Sequence, residues 1–167
     1  MHIRPETPDD LAAVRAVNEA AFGSSAEADL VDALRGKIQP LISLVAELDG
    51  LTVGHILFSL ISLDAPSELE LMGLGPMGVL PQHQRQGIGS ALVAEGLKHC
   101  AALDCDAVVV LGHPAYYPRF GFVTASKYEI SSKYKVPDEV FMIKELTPGS
   151  LRGVSGTVSY DEAFDGV

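Results

Sequence analysis

The sequence predicts one domain of mixed α/β (α+β) class, and three observations support this prediction. Asp49-Gly50 is a strong hairpin signal between two apolar segments, which makes the first strands antiparallel. A polar, glycine-containing loop at residues 84–90 connects a strand-like segment to a helical one. The apolar run Ala107–Leu111 then supplies a buried strand, so that hairpins are followed by a β-α-β unit.

Local signals predict the remaining elements in order. Thr7 is a candidate N-cap for a first helix that Gly23 ends, and Ser25 precedes a second helix that Gly36 ends. The chain shows no repeat and no linker, which predicts a single domain over residues 1–167. Strands are predicted at 2–4, 41–48, 52–63, 69–80, 107–111, 140–146 and 156–160, a third helix at 87–103, and a brief helix within 114–122.

Composition limits the classes of function. Of the 167 residues 47% are apolar, and 12 basic against 22 acidic residues give a net charge of −10. This charge argues against non-specific binding to nucleic acid or anionic membrane, and we predict neither as a partner. No run approaches the roughly 18 apolar residues of a membrane helix, and no signal peptide is visible. Cys100 and Cys105 lack the companions of a zinc site, so we expect reduced packing residues, no metal and a cytoplasmic protein.

The loop before the third helix has the properties of an anion site. The first turn of a helix leaves about four backbone N–H groups without partners, at the positive end of the helix dipole. Gly87 and Gly89 have no side chain that would keep a ligand from those amides, and Arg85 adds a positive charge. Residues 85–90 therefore predict a pyrophosphate site, in spite of the acidic total.

Two better-known phosphate loops do not fit this segment. A P-loop requires Gly-Lys-[Ser/Thr], and a dinucleotide fold requires a third glycine within an early β-α-β unit. The segment 87–92 has neither. On the loop alone, an ordinary glycine-rich turn before a helix stays an open alternative.

Two motifs together resemble those of the GCN5-related N-acetyltransferase (GNAT) family. The segment Gln84–Gly89 is similar to the family's [Gln/Arg]-x-x-Gly-x-[Gly/Ala] loop, and Tyr117–Phe122 is similar to its Tyr-x-x-x-Gly-Phe signature. The order of elements agrees over most of residues 1–146, and residues 112–122 with the tail at 140–160 resemble the YhbS-like branch. The resemblance implies a GNAT-like fold, with a central mixed, mostly antiparallel, splayed sheet flanked by about four helices.

The resemblance also implies acetyl-CoA as co-substrate. The loop would hold the pyrophosphate, and the strand before it would hold the pantetheine arm. Gly73, Gly75 and Gly78 are compatible with a bulged or splayed strand, or alternatively with a weak edge strand. The implied binding residues are Met77, Gly78, Val79, Gln84, Arg85, Gln86, Gly87, Ile88, Gly89 and Ser90.

Acetyl transfer to an amine requires a base for the ammonium, a donor for the oxyanion and an acid for the leaving sulfur. Tyr117 is the predicted acid, since a phenol pKa near 10 lies close to the roughly 8.5 of a thiol. Its distance to Gly121 also matches the family's tyrosine. The alternative role for Tyr117 is a half-buried aromatic against the sheet. The resemblance implies the backbone N–H of Val79 as oxyanion donor.

The base is less well defined. Some relatives carry a glutamate in the strand before the tyrosine segment, where this chain has Val110 and Leu111. Glu70 is the predicted base and His113 the second candidate, followed by Glu68 and His55. For each of them a solvated or packed side chain is an equal alternative.

The predicted function is transfer of an acetyl group from acetyl-CoA to a primary amine. The alternatives are another acyl-CoA as donor, a non-catalytic CoA-binding or regulatory module, and an interaction protein with a coincidental glycine turn. We expect the acceptor site to be lined by Phe22, Ser24, Glu27 and Tyr134. Polyamines, aminoglycoside-like amines, amino acids and protein amines all stay open as acceptors, as do a monomer and a homodimer.

Overall fold

The computed structural model describes all residues, 1–167. Three α-helices accompany nine strands. The helices are α1 (Leu11–Phe22), α2 (Ala26–Leu34) and α3 (Ile88–Ala102). The strands are β1 (His2–Pro5), β2 (Leu41–Leu48), β3 (Leu51–Leu63), β4 (Leu71–Val79), β5 (Ala107–Leu111), β6 (Val123–Thr124), β7 (Ile130–Ser132), β8 (Phe141–Glu145) and β9 (Gly156–Ser159).

The strands form a mixed, mostly antiparallel sheet, as predicted. Their order is β1-β2-β3-β4-β5-β8-β6, and β9 pairs with both β3 and β7. The β4–β5 and β7–β9 pairs are parallel, and every other pair is antiparallel. The tail after residue 146 therefore completes the sheet, one of the two roles that the sequence left open for it.

Turn and capping residues act largely where the sequence predicts them. Gly23 ends α1 in the left-handed conformation, with φ of 73°. Asp49 and Gly50 both have positive φ, 51° and 78°, which is the geometry of a type I′ hairpin. Thr7 begins a short 3₁₀ turn, Pro8–Asp10, and α1 follows from Leu11.

The predicted fourth helix is a 3₁₀ turn, Tyr117–Phe120. Pro118 lies near its start and has no N–H to donate to a carbonyl of a preceding turn. Gly121 ends the turn at φ of 94°. Between these two residues there is no room for a further α-helical turn.

Helices cover both faces of the sheet. On one face α3 packs over Phe58. The Phe58 ring lies against Gly96 of α3, where a Cβ would be 2.1 Å from the ring. On the other face Leu57 packs with α1 and α2. Cys100 and Cys105 are buried and free, in the core on the α3 side. No helix combines the length and the apolar character that crossing a bilayer requires.

The parallel strands β4 and β5 separate part of the way along. They pair from Leu71 with Ala107 to Leu74 with Val110. Beyond that point β4 runs on to Val79 without a β5 partner, and the β3–β4 register shifts between Ile56 and Phe58. The sheet is therefore splayed at this end, and the glycine loop and α3 follow directly.

Candidate active site

Residues 85–90 present a continuous run of free backbone amides. The first intrahelical bond of α3 is donated by Ala91 N–H to Gly87 O, at 3.0 Å. None of the amides from Arg85 to Ser90 donates to another group of the protein. Arg85 and Gly87 both have positive φ, 62° and 86°, and Gly87 is the N-cap of α3. Alternating left-handed residues at a helix start form a concave site for an anion.

The upper part of β4 offers further free backbone groups. Leu80 N–H donates to Val53 O of β3 at 2.9 Å. Because successive amides of a strand point to opposite edges, those of Val79 and Met77 face the edge that β5 has left. Gln84 Nε2 donates to Val79 O at 3.0 Å, which ties the loop to the end of the strand.

Gly78 lies between these two residues and serves close packing. A Cβ there would be 3.0 Å from the Cβ of Ala21 in α1. A larger residue would push α1 away from the splayed strand.

A cavity of about 600 Å³ fills the gap between the two strands. Its volume is typical of a ligand pocket. Leu74–Met77 of β4 and Val110–His113 at the end of β5 form one part of its wall. The lining residues are Phe22, Glu27, Leu30, Leu74, Gly75, Pro76, Met77, Val110, Leu111, Gly112, His113, Tyr117, Tyr134, Val136, Tyr160, Phe164 and Val167.

Tyr117 is part of this wall and is only 8% exposed. Its ring packs edge-on against Phe122, with centroids 5.7 Å apart. A Cβ at Gly112 would be 2.3 Å from the ring, so only glycine fits beneath it. Burial raises the pKa of Tyr117 to about 12, with a smaller contribution from Tyr116. The hydroxyl is therefore a hydrogen-bond donor at any physiological pH.

The neighbouring Tyr116 points to the loop instead. Its hydroxyl lies 3.0 Å from Ser90 Oγ in the first turn of α3. The guanidinium of Arg119 lies over its ring, 4.5 Å from the centroid. Two adjacent tyrosines thus contact the two parts of the site: Tyr116 contacts the loop with the free amides, and Tyr117 lines the cavity.

The structure does not bring Glu70 to this cavity. Glu70 is exposed just before β4, at the end where β4 and β5 are paired, and its N–H donates to Asp106 at 2.9 Å. The sequence placed Glu70 at the start of the strand before the loop, but β4 begins only at Leu71, and sequence pattern does not tell which end of the strand opens. Of the other candidate bases, His113 lines the cavity, and Glu68 is exposed in the loop before β4.

His55 is fully buried and both of its ring nitrogens are occupied. Nδ1 lies 3.1 Å from Asn18 Nδ2, and Nε2 lies 2.8 Å from Ser43 Oγ. Burial, with a smaller contribution from Arg35, lowers the pKa of His55 to about 3. The imidazole is therefore neutral and joins α1 to the sheet behind Gly78, its partner in the β3–β4 register.

Three of the four residues that the sequence predicts for the acceptor site line this cavity. Phe22, Glu27 and Tyr134 line the cavity, whereas Ser24 does not and instead lies 3.5 Å from Glu27. Sequence analysis missed Tyr160 and Phe164 in the same wall. No local pattern marks them, because the pairing of β9 with β3 and β7 brings the tail to this place.

No group of three or more His, Cys, Asp or Glu side chains is arranged to hold a metal ion. The polar groups of the site are backbone amides, tyrosine hydroxyls, His113 and Glu27.

Known proteins share both the fold and the motifs. Residues 11–122 match the model of the acetyltransferase (GNAT) family. Escherichia coli YjhQ, an N-acetyltransferase by name, is 38% identical over 86% of this chain and 84% of its own. Escherichia coli YhbS, also an N-acetyltransferase by name, is 35% identical over 99% of both chains.

Two crystal structures extend the comparison. That of YhbS in complex with CoA matches with a TM-score of 0.91 over 98% of this chain and 91% of the other, at 35% identity. A GNAT acetyltransferase from Brucella melitensis, in complex with acetyl-CoA, matches with a TM-score of 0.81 over 98% and 97%, at 38% identity. With the splayed sheet, the free loop amides and the tyrosine turn, these matches establish that the chain belongs to the GNAT acetyltransferase family.

Proposed function

We propose that this protein transfers the acetyl group of acetyl-CoA to a primary amine by direct attack within a ternary complex. The observation that carries the proposal is the run of free amides at residues 85–90, which begins six residues after the open edge of β4 ends at Val79. The CoA and acetyl-CoA complexes of the two related structures support the same donor here. A cytoplasmic location, and a monomer or homodimer, stay predictions.

The donor would lie along β4 and end at the loop. In this proposal the amides of residues 85–90 and the charge of Arg85 hold the pyrophosphate, and Gln84 fixes the loop to the strand. Val79, between the loop and the cavity, holds the pantetheine arm through its free strand amide. The thioester then reaches the cavity beside Tyr117.

The chemistry needs no enzyme nucleophile once donor and amine are held together. The amine lone pair attacks the carbonyl carbon, and the N–H of Met77 stabilises the oxyanion that forms, since Met77 lines the cavity and Val79 does not. When the intermediate collapses, the C–S bond breaks and sulfur leaves with the electron pair. Tyr117 donates its proton to that sulfur, and the nitrogen that attacked releases its surplus proton to solvent. Tyr117 regains a proton from solvent, so that the products are the neutral amide and free CoA.

The raised pKa of Tyr117 is compatible with this role. The reference pKa of a thiol is roughly 8.5, below the value of about 12 for Tyr117. Desolvation in the same cavity also raises the pKa of the departing thiol, which reduces the difference between its pKa and that of Tyr117. For the ammonium proton we assign His113, since it is the candidate base that lines the cavity.

The proposal is tested by calorimetric titration of the protein with acetyl-CoA, using Gly87→Asp and Gly87→Asn as a matched pair. Gly87 has φ of 86° and open space around its Cβ position, and Asp and Asn both tolerate this conformation. The two side chains have the same shape and differ in charge. We expect wild type to bind, and Asp to weaken binding about 100-fold more than Asn, because its carboxylate faces the pyrophosphate.

Two results would contradict the assignment. One is a wild-type protein that binds neither acetyl-CoA nor CoA. The other is equal affinity in both variants and wild type, which would leave the loop as a structural turn.

A further inference from the structure

We infer that the acceptor is a primary amine on an apolar body, with no carboxylate and no second ammonium. This rests on the proposed function and concerns the part of the cavity beyond the donor. That part, which we call the acceptor pocket, is formed by the end of α1, by α2, by the loop after β7 and by the tail of the chain: Phe22, Glu27, Leu30, Tyr134, Tyr160 and Phe164.

The loop after β7 and the tail together supply a continuous aromatic wall. The rings of Tyr134 and Tyr160 have centroids 5.7 Å apart, and those of Tyr160 and Phe164 are 5.2 Å apart. The Tyr134 hydroxyl donates to Asp165 at 2.8 Å, so its polar end is already occupied. Such a wall favours an apolar substrate body through area burial, and aromatic faces also attract an ammonium.

Glu27 is the one carboxylate side chain in the lining. It forms no ion pair within the protein, whereas Asp29, two residues further along α2, is held by Arg15 at 2.8 Å. An ammonium that leaves water for an apolar pocket requires a counter-charge. Glu27 is free to provide one, and no other side chain of the lining carries a negative charge.

The lining contains no lysine and no arginine. Lys133, beside Tyr134, is paired with Asp165 at 3.4 Å. A substrate carboxylate would therefore lie unpaired near Glu27, and a second ammonium would find no further side-chain carboxylate in the lining. Both arrangements are costly, so free amino acids and polyamines fit the pocket poorly.

The test compares phenethylamine, phenylalanine and spermidine as acceptors, with release of the CoA thiol as the readout. Phenethylamine and phenylalanine differ by a single carboxylate, which makes them a matched pair. We expect kcat/KM for phenethylamine to exceed that for either other amine by about 100-fold. Calorimetry on the CoA-bound protein should show the same order of affinities without turnover.

Two variants assign the selectivity to the pocket. Glu27→Gln should raise KM for phenethylamine about tenfold and leave acetyl-CoA affinity unchanged. Asp29→Asn removes a carboxylate from the same helix turn outside the pocket and should change neither quantity.

The outcomes separate the two proposals. If acetyl-CoA binds but phenylalanine or spermidine is preferred, or no apolar amine is bound or acetylated, the inference is wrong and the donor site stands. If acetyl-CoA does not bind at all, the proposed function is wrong, and the inference with it.

Discussion

The two ends of the β4–β5 pair belong to the same two strands but differ in backbone pairing and in exposure. At the closed end, residues 71–74 and 107–110 bond to each other and are buried. At the open end, residues 75–79 have lost that partner, and Leu111 is 37% exposed. One end contributes to the core, and the other exposes amides and a cavity.

The difference shows how a sheet can provide a ligand site without polar side chains. Buried backbone amides require hydrogen-bond partners, and at the closed end each strand supplies the partners for the other strand. Where the strands separate, the same groups are left for a ligand. The remaining predictions test whether the two ends are independent.

The largest effect is expected for Tyr117→Phe at the open end. The variant keeps the ring packing against Phe122 and removes the hydroxyl that we propose as proton donor. We expect kcat to fall about 100-fold or more, with unchanged acetyl-CoA affinity, in steady-state kinetics and calorimetry. Because the pKa of Tyr117 is raised to about 12, its phenol stays protonated, and wild type should show no activity loss from this group below about pH 11. An unchanged kcat would remove the tyrosine from the mechanism.

Leu71→Ala at the closed end should affect stability alone. Leu71 is 1% exposed and pairs with Ala107. Removing its side chain should lower the free energy of unfolding by about 3 kcal/mol in denaturant titrations. Acetyl-CoA affinity, measured where the variant is folded, should change less than about twofold. A tenfold loss would mean that the two ends are coupled.

His55 behind the open end should make stability depend on pH. Its folded pKa of about 3 lies below the unfolded value of 6.5, so the unfolded chain takes up the proton first. The contribution of neutral His55 to the free energy of unfolding is therefore complete above pH 6.5 and is lost as pH falls towards 3. Between pH 6 and pH 5 the free energy of unfolding should fall by about 1 kcal/mol. Denaturant titrations of wild type and His55→Gln should differ by this slope. Ser43→Ala keeps the imidazole and should retain the slope.

The smallest effect is expected for Glu70→Gln. Glu70 is exposed at the closed end, away from the cavity, so kcat should change less than about twofold. A tenfold loss would restore Glu70 as the base and show that the closed end takes part in the chemistry.

Local signals predicted much of the fold and the free amides of the loop before α3. The bounds of β2 and β5 agree with the prediction, because each is an apolar run ended by a turn residue or a loop. The loop at 84–90 could be interpreted because amide exposure at a helix start follows from helix geometry.

The rest depends on contacts between distant segments. Which end of β4 opens is decided by the bulge opposite β3 and the short overlap with β5, neither of which periodicity reports. The aromatic wall at Tyr160 and Phe164 depends on β9 pairing with two strands far away in sequence. The acceptor pocket was therefore the least predictable part of the site.

The adjacent tyrosines have a consequence for the length of the donor. Tyr116 is joined to Ser90 at the start of α3, and Tyr117 faces the cavity from the same short turn. In the proposed binding mode, the distance from the loop amides to the thioester sulfur is set by these contacts within the protein, and the pantetheine arm has to span it. A thioester whose arm is shorter than that of CoA would therefore be unable to occupy the loop and the cavity at the same time, whatever acyl group it carries.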